Sequence, residues 1–291
     1  MFRDINLWNP HSGLPMSIII VTAFLLGMVH GITPDEHTWP ITFSYAIGAY
    51  STRGGLLAGL SFSLAFTVQR ALASELAYLA LAKWMENPRI DAVVYIIVGI
   101  AMFFAGKYIR SQGRVFHIHG LKSHHHENFE PMRSIPPQMA MLHGFLAGWG
   151  FGAFAIIIYT VLAPGMHSAW WGWVPGAFFG LGTMTIQASA GALFGHWMSR
   201  AHIPADMAKS VAQSTASATL LYGGIAFVLA GSLSLMFPAL QNVAWITPIH
   251  VHNLHTLGIG FILVAFTVLV VGLGSLVRAM RKAQRLAAKR Y

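Results

Sequence analysis

Residues 28–41 read MVHGITPDEHTWPI. The stretch closes an apolar, helix-like run, yet within eight residues it holds two imidazoles (His30, His37), two carboxylates (Asp35, Glu36), a glycine and a proline. Pro34 has no backbone N–H to donate and disfavours helix at Thr33, so the helix is expected to break there. An unwound turn lets His30, Asp35 and His37 converge with freed carbonyls, an arrangement tolerated at membrane depth only where it lines a cavity. Ionisable groups in hydrocarbon are costly, and such a cluster marks a functional site by default. The bland alternative is a polar cap on a kinked helix end near the headgroups.

The rest of the chain makes membrane depth the right setting. Of 291 residues, 55% are hydrophobic and 9% are charged, with a mean hydropathy of +0.59. Soluble domains carry roughly 25% charged residues, so only an integral membrane protein fits. There is no cysteine, which excludes disulfides, thiolate metal sites and a thiol-based electron conduit. Imidazole and carboxylate ligation stay open. The formal charge of +9 does not point to nucleic acid. Six basic residues lie in the tail (Arg278, Arg281, Lys282, Arg285, Lys289, Arg290) and five lie between Lys107 and Arg133, flanking apolar runs as cytoplasmic topology anchors do.

Read in order, the chain predicts an all-α polytopic fold with about seven transmembrane helices, at 16–33, 56–82, 91–108, 138–162, 173–198, 210–237 and 254–277. Residues 39–50 are too short to span and read as a half-helix or re-entrant piece. The units are an interfacial N-terminus (1–15), a first three-helix repeat with the polar motif (16–110), a His-rich cytoplasmic loop (111–137), a second three-helix repeat (138–237), an outer His loop with the last helix (238–277) and a basic cytoplasmic tail (278–291). The repeat rests on Phe24-Leu25-Leu26-Gly27 against Phe145-Leu146-Ala147-Gly148, Thr67-Val68-Gln69 against Thr185-Ile186-Gln187, and Gly99-Ile100-Ala101 against Gly224-Ile225-Ala226, at offsets of 121, 118 and 125. At an offset of 121, His30 aligns with Phe151, and the polar cluster exists in the first copy only. Three spans per unit make the second copy enter from the opposite side, the inverted plan of secondary transporters with sites at broken helices.

Other polar positions are weighed against this plan. Gln69 and Gln187 occupy equivalent repeat positions and line a path or simply bond between helices. Glu75 is a candidate proton carrier, and Arg70 is expected to pair with Asp35, Glu36 or an interfacial group. His117, His119, His124, His125 and His126 form a His tract for which auxiliary metal binding is the compositional expectation. His250, His252 and His255 suggest a vestibule or an interfacial cap, and His143, His167, His196 and His202 are isolated.

The motif His30-Gly-Ile-Thr-Pro-Asp35-Glu-His37 resembles the His-x4-Asp-His signature of the nickel/cobalt transporter family and its urease-associated relatives, with Glu36 as an extra residue. The resemblance implies a secondary transporter, not an enzyme, whose cargo is Ni2+ or Co2+, with Fe2+, Zn2+ and Mn2+ left open. It implies metal ligation by His30, Asp35 and His37, with Glu36 as ligand, orienting partner or proton acceptor, and no resident cofactor. Its partners are the metal ion and the bilayer, with a homo-oligomer or an accessory metal-handling protein left open. The location is the inner membrane with the C-terminus in the cytoplasm. A membrane metalloenzyme with His boxes, such as a di-iron desaturase or hydroxylase, is the rival.

Overall fold

The computed structural model describes residues 10–36, 38–81, 88–112, 135–150, 152–200, 205–249 and 254–288. Helix α1 (Met16–Ile32) is apolar up to His30 and stops at Thr33, whose backbone turns extended ahead of Pro34. Helix α2 (Trp39–Ala49) carries Pro40 in its first turn, where no donor is lost, and ends at Tyr50 in the left-handed region with φ 43°. The Ser51 side chain then caps α3 (Thr52–Leu76) by accepting from the Gly54 N–H. A widened turn (Ala77–Leu81) extends α3, and α4 (Pro88–Gln112) follows.

The second half repeats the plan. Helix α5 (Pro137–Ala147) breaks before α6 (Ala153–Ile157), which runs on into a widened turn (Ile158–Leu162). Two long helices follow, α7 (Val174–Arg200) and α8 (Ala205–Met236). A two-stranded hairpin of β1 (Trp245–Ile246) and β2 (Thr256–Leu257) leads into α9 (Ile259–Val264), a widened stretch (Ala265–Leu273) and the basic α10 (Gly274–Ala288). Among the described residues, five stretches are long and apolar enough to cross a membrane: Thr52–Leu79, Arg89–Ser111, Ala169–Arg200, Met207–Met236 and Ile259–Arg285. Large apolar side chains such as Leu64, Val68 and Leu72 on α3 remain half exposed, as lipid-facing residues do. The protein is a multi-pass, all-α integral membrane protein. The expected span over 138–162 is not continuous: it breaks between Ala147 and Ala153.

Glycine sets the packing between the halves. A side chain on Gly55 would strike the Gly191 carbonyl, one on Gly191 the Gly55 carbonyl, and one on Gly195 the Ser51 carbonyl. The α3 and α7 backbones therefore touch, the small-residue geometry of membrane helices. Helices α4 and α8 meet likewise at Gly99 and Gly224, the very glycines that the repeat pairs. Across repeats the packing is reciprocal, α1 on α7 and α5 on α3. Gly27 abuts the Phe179 carbonyl as Gly144 abuts that of Phe62, and each counterpart lies 117 residues on.

That reciprocity corrects the repeat register. Gly31 corresponds to Gly148 and His30 to Ala147, one helical turn away from the alignment at 121. A four-residue slip keeps a helix face almost unchanged, so short apolar matches do not detect it. The two glutamines agree with the new register. Gln187 on α7 donates through Nε2 to the Gly31 carbonyl at 3.1 Å, and the Gln69 side chain on α3 packs against Gly148.

Two predictions follow from these contacts. Gly55→Leu or Gly144→Leu forces backbones apart and costs at least the roughly 1–3 kcal/mol of ordinary overpacking. Thermal unfolding and size-exclusion profiles in detergent should show a large loss. Gln187→Leu should destabilise by about 1–3 kcal/mol, because it orphans a buried carbonyl. Gln69→Leu should be neutral or stabilising, since the Gln69 amide is buried with neither polar atom hydrogen-bonded. Melting temperatures of the two glutamine variants that move the same way would contradict this contrast.

Candidate ion site at the helix breaks

The first break builds a buried imidazole–carboxylate pair. His30 is 3% exposed and Asp35 is 2% exposed. His30 Nδ1 lies 3.7 Å from Asp35 Oδ2. The imidazole packs among Phe66 (5.8 Å between centroids, stacked), Phe154 (5.9 Å) and Phe179 (5.1 Å). Three elements thus enclose it, two of them from the second repeat. Thr33 Oγ1 donates to the His30 carbonyl at 3.2 Å, and the Asp35 carbonyl accepts from the backbone N–H of Trp39 at 3.1 Å to start α2. The Gly31 carbonyl also accepts from Trp39 Nε1 at 3.2 Å, and Thr183 Oγ1 on α7 donates to the Gly27 carbonyl at 3.0 Å. Gly31 has to be small, because a Cβ there would lie 2.7 Å from Ile186 Cβ.

Glu36 turns elsewhere. It accepts from Tyr95 Oη on α4 at 2.8 Å and lies against Gly260 on α9. The described residues therefore bring His30 and Asp35 together and set Glu36 toward another wall. Among them, no group of three or more His, Asp or Glu side chains is placed to hold a metal ion. His37, His117, His119, His124, His125, His126, His250 and His252 lie outside the described residues. His255 sits at the hairpin, where its carbonyl accepts from the Thr247 N–H at 2.8 Å.

The second break carries a cation that the sequence reading paired wrongly. Arg70 is 2% exposed and donates through Nη1 to the Gly150 carbonyl at 3.1 Å and to Tyr159 Oη at 2.8 Å. It does not pair with Asp35 or Glu36. Its guanidinium lies 4.7 Å from the Phe66 centroid, 5.5 Å from that of Phe179 and 5.9 Å from that of Tyr159, a cation–π setting in place of an acid. The expectation failed because pairing was sought among acidic residues, while the fold offers a broken helix whose carbonyls are freed. Glu75, half-buried, lies beside Gly172 and Tyr78, at the end of α3 away from both breaks. Tyr95, Tyr159 and Thr183 were missed altogether, since lone hydroxyls on apolar helices carry no sequence signal. His143, read as isolated, is buried with Nδ1 at 2.7 Å from the Met139 carbonyl and 3.1 Å from Tyr45 Oη.

Comparison with known families settles the ancestry. The model of the family described as "Cytochrome C biogenesis protein transmembrane region" matches residues 71–232, more than half of the chain. Searches of curated proteins and of solved structures find no match. The matched range runs from α3 to α8 and leaves out the polar motif at 28–41. The resemblance to nickel/cobalt transporters rested on that motif, with an extra Glu36 inside it. A histidine, an aspartate and a helix-breaking proline within eight residues are too short a pattern to report descent. The match corrects that resemblance: the chain belongs to the family of the cytochrome c biogenesis protein transmembrane region and not to the nickel/cobalt transporters.

Proposed function

We propose that the protein is a secondary transporter, not an enzyme, in which the His30–Asp35 pair binds a translocated cation. The observation that carries this reading is the buried pair at a helix break, clasped by α7 of the opposite repeat through Gln187 and Thr183. Any movement of one repeat against the other must alter those two hydrogen bonds, and with them the site. This is the alternating-access plan of repeat-built transporters. With no cysteine in the sequence, thiol redox chemistry is not open to this chain.

An imidazole with a carboxylate suits a borderline divalent metal, with Ni2+, Co2+, Fe2+, Zn2+ and Mn2+ all within reach of such ligands. The same pair exchanges a proton, so metal and proton compete for one site and couple by exclusion. An inside-negative potential favours entry of a divalent cation by about 4.6 kcal/mol per 100 mV. Uptake therefore needs no coupling, whereas export requires the proton. The basic α10 and the Lys107–Arg133 segment support a cytoplasmic C-terminus in the inner membrane.

Two measurements test the reading. Proteoliposomes holding the purified protein are exposed to each metal with and without a pH gradient, and flux is followed by a fluorescent chelator. His30→Ala and Asp35→Asn should each lower flux at least about 100-fold, the upper range for loss of a metal partner, while the proteins elute as the wild type does. Flux that survives in either variant excludes the pair as the site. Accessibility mapping of single-cysteine variants at positions 124 and 250 should place them on opposite sides. Placement on one side would favour the metalloenzyme with His boxes.

A further inference from the structure

We propose that Arg70, with Gln69, holds a small oxyanion or carboxylate at the second helix break, a site distinct from the His30–Asp35 pair. The guanidinium has five N–H donors. Two hydrogen bonds are made, both from Nη1, to the Gly150 carbonyl and Tyr159 Oη. Nε is buried with no hydrogen-bond partner, and none is formed by Nη2. Nε–H and the adjacent Nη2–H form the side-on edge of the fork, two parallel donors that match two oxygens of one carboxylate or oxyanion.

Among the described residues the charge has no counter-ion. No carboxylate pairs with Arg70 among the described residues, and its neighbours are the rings of Phe66, Phe179 and Tyr159. Glu75, the nearest acid along α3, lies against Gly172 and Tyr78. Cation–π contact contributes about 2 kcal/mol when desolvated, well short of the several kcal/mol that burying an ion costs. A bound anion closes that gap.

Gln69 supplies the second, independent observation. It is fully buried, packs against Gly148 at the same break, and leaves both amide atoms without hydrogen bonds. Its counterpart Gln187 is satisfied by the Gly31 carbonyl. The vacant amide therefore belongs to the copy that carries the arginine, on the neighbouring residue, and its Nε2–H is a further donor left unused. Arg70 is too deeply buried for a lipid headgroup, so the occupant is a small free anion.

The experiment uses the full-length protein in lipid nanodiscs, with thermal unfolding followed by tryptophan fluorescence. Nitrate, sulfate, phosphate and acetate are titrated at constant ionic strength against gluconate, which is too bulky to enter. At least one small oxyanion should raise the midpoint saturably, and chloride should act more weakly because it cannot bridge two N–H groups. Arg70→Met should abolish the shift. Arg70→Lys, which keeps the charge and loses the fork, should weaken binding roughly tenfold, and Gln69→Leu should weaken it severalfold. Arg53→Gln, an exposed arginine on the same helix, should leave the shift intact. No saturable shift in the wild type, an equal shift in Arg70→Met, or loss of the shift in Arg53→Gln would overturn the site. The readout needs no metal and no transport, so its failure leaves the cation reading standing, and the reverse holds as well.

Discussion

Backbone contact between α3 and α7 is the constraint from which the rest of the structure follows. Glycines at 55, 191 and 195 bring the two helix axes together where any side chain would hold them apart. The approach places Thr183 and Gln187 on the end of α1, and Gln69 and Arg70 on the break after α5. In a bilayer the apolar core provides no hydrophobic drive for helix association, so close packing and interhelical hydrogen bonds carry the assembly. Helices α3 and α7 thus each contribute both to the scaffold and to the far repeat's broken helix.

The two breaks have diverged in charge while keeping their geometry. Gly31 and Gly148 are counterparts, each met by a glutamine from the opposite repeat. The first break carries His30, Asp35 and Glu36, and the second carries neither acid nor base of its own but is reached by Arg70. Position 188, the counterpart of Arg70 in the glutamine register, is alanine. Duplication supplied two equivalent frames, and the ionisable groups fall on one copy's helices, pointing at both breaks.

The membrane class, the repeat and the first break were legible because each has a blunt physical signal: hydropathy, collinear matches and a proline. The second break was not, because residues 148–152 contain glycine where residues 31–38 contain Pro34. Glycine serves close packing as readily as unwinding, so its presence does not announce a break. The register was missed by one turn for a related reason, since apolar helix faces recur every 3.6 residues. The cluster at His30 was read as a candidate site, and its three side chains were too few to identify a lineage. The family match covers residues 71–232 and does not include that cluster.

The aromatic cluster joins the two breaks electrostatically. Phe66 lies 5.8 Å from the His30 ring and 4.7 Å from the Arg70 guanidinium, so the imidazole and the guanidinium are no more than about 10.5 Å apart. At an effective dielectric of about 20, two unit charges at that separation repel by roughly 1.6 kcal/mol. Asp35 offsets this while it is ionised. A divalent cation on the proposed His30–Asp35 site would add charge that faces Arg70 across the shared rings. The anion proposed for the free edge of Arg70 would offset part of that repulsion, and occupation of either break would then favour occupation of the other. Such coupling is reciprocal by thermodynamic necessity. It needs no chain of moving parts, only two opposite charges held near one pair of phenyl rings by helices that glycine has brought into contact.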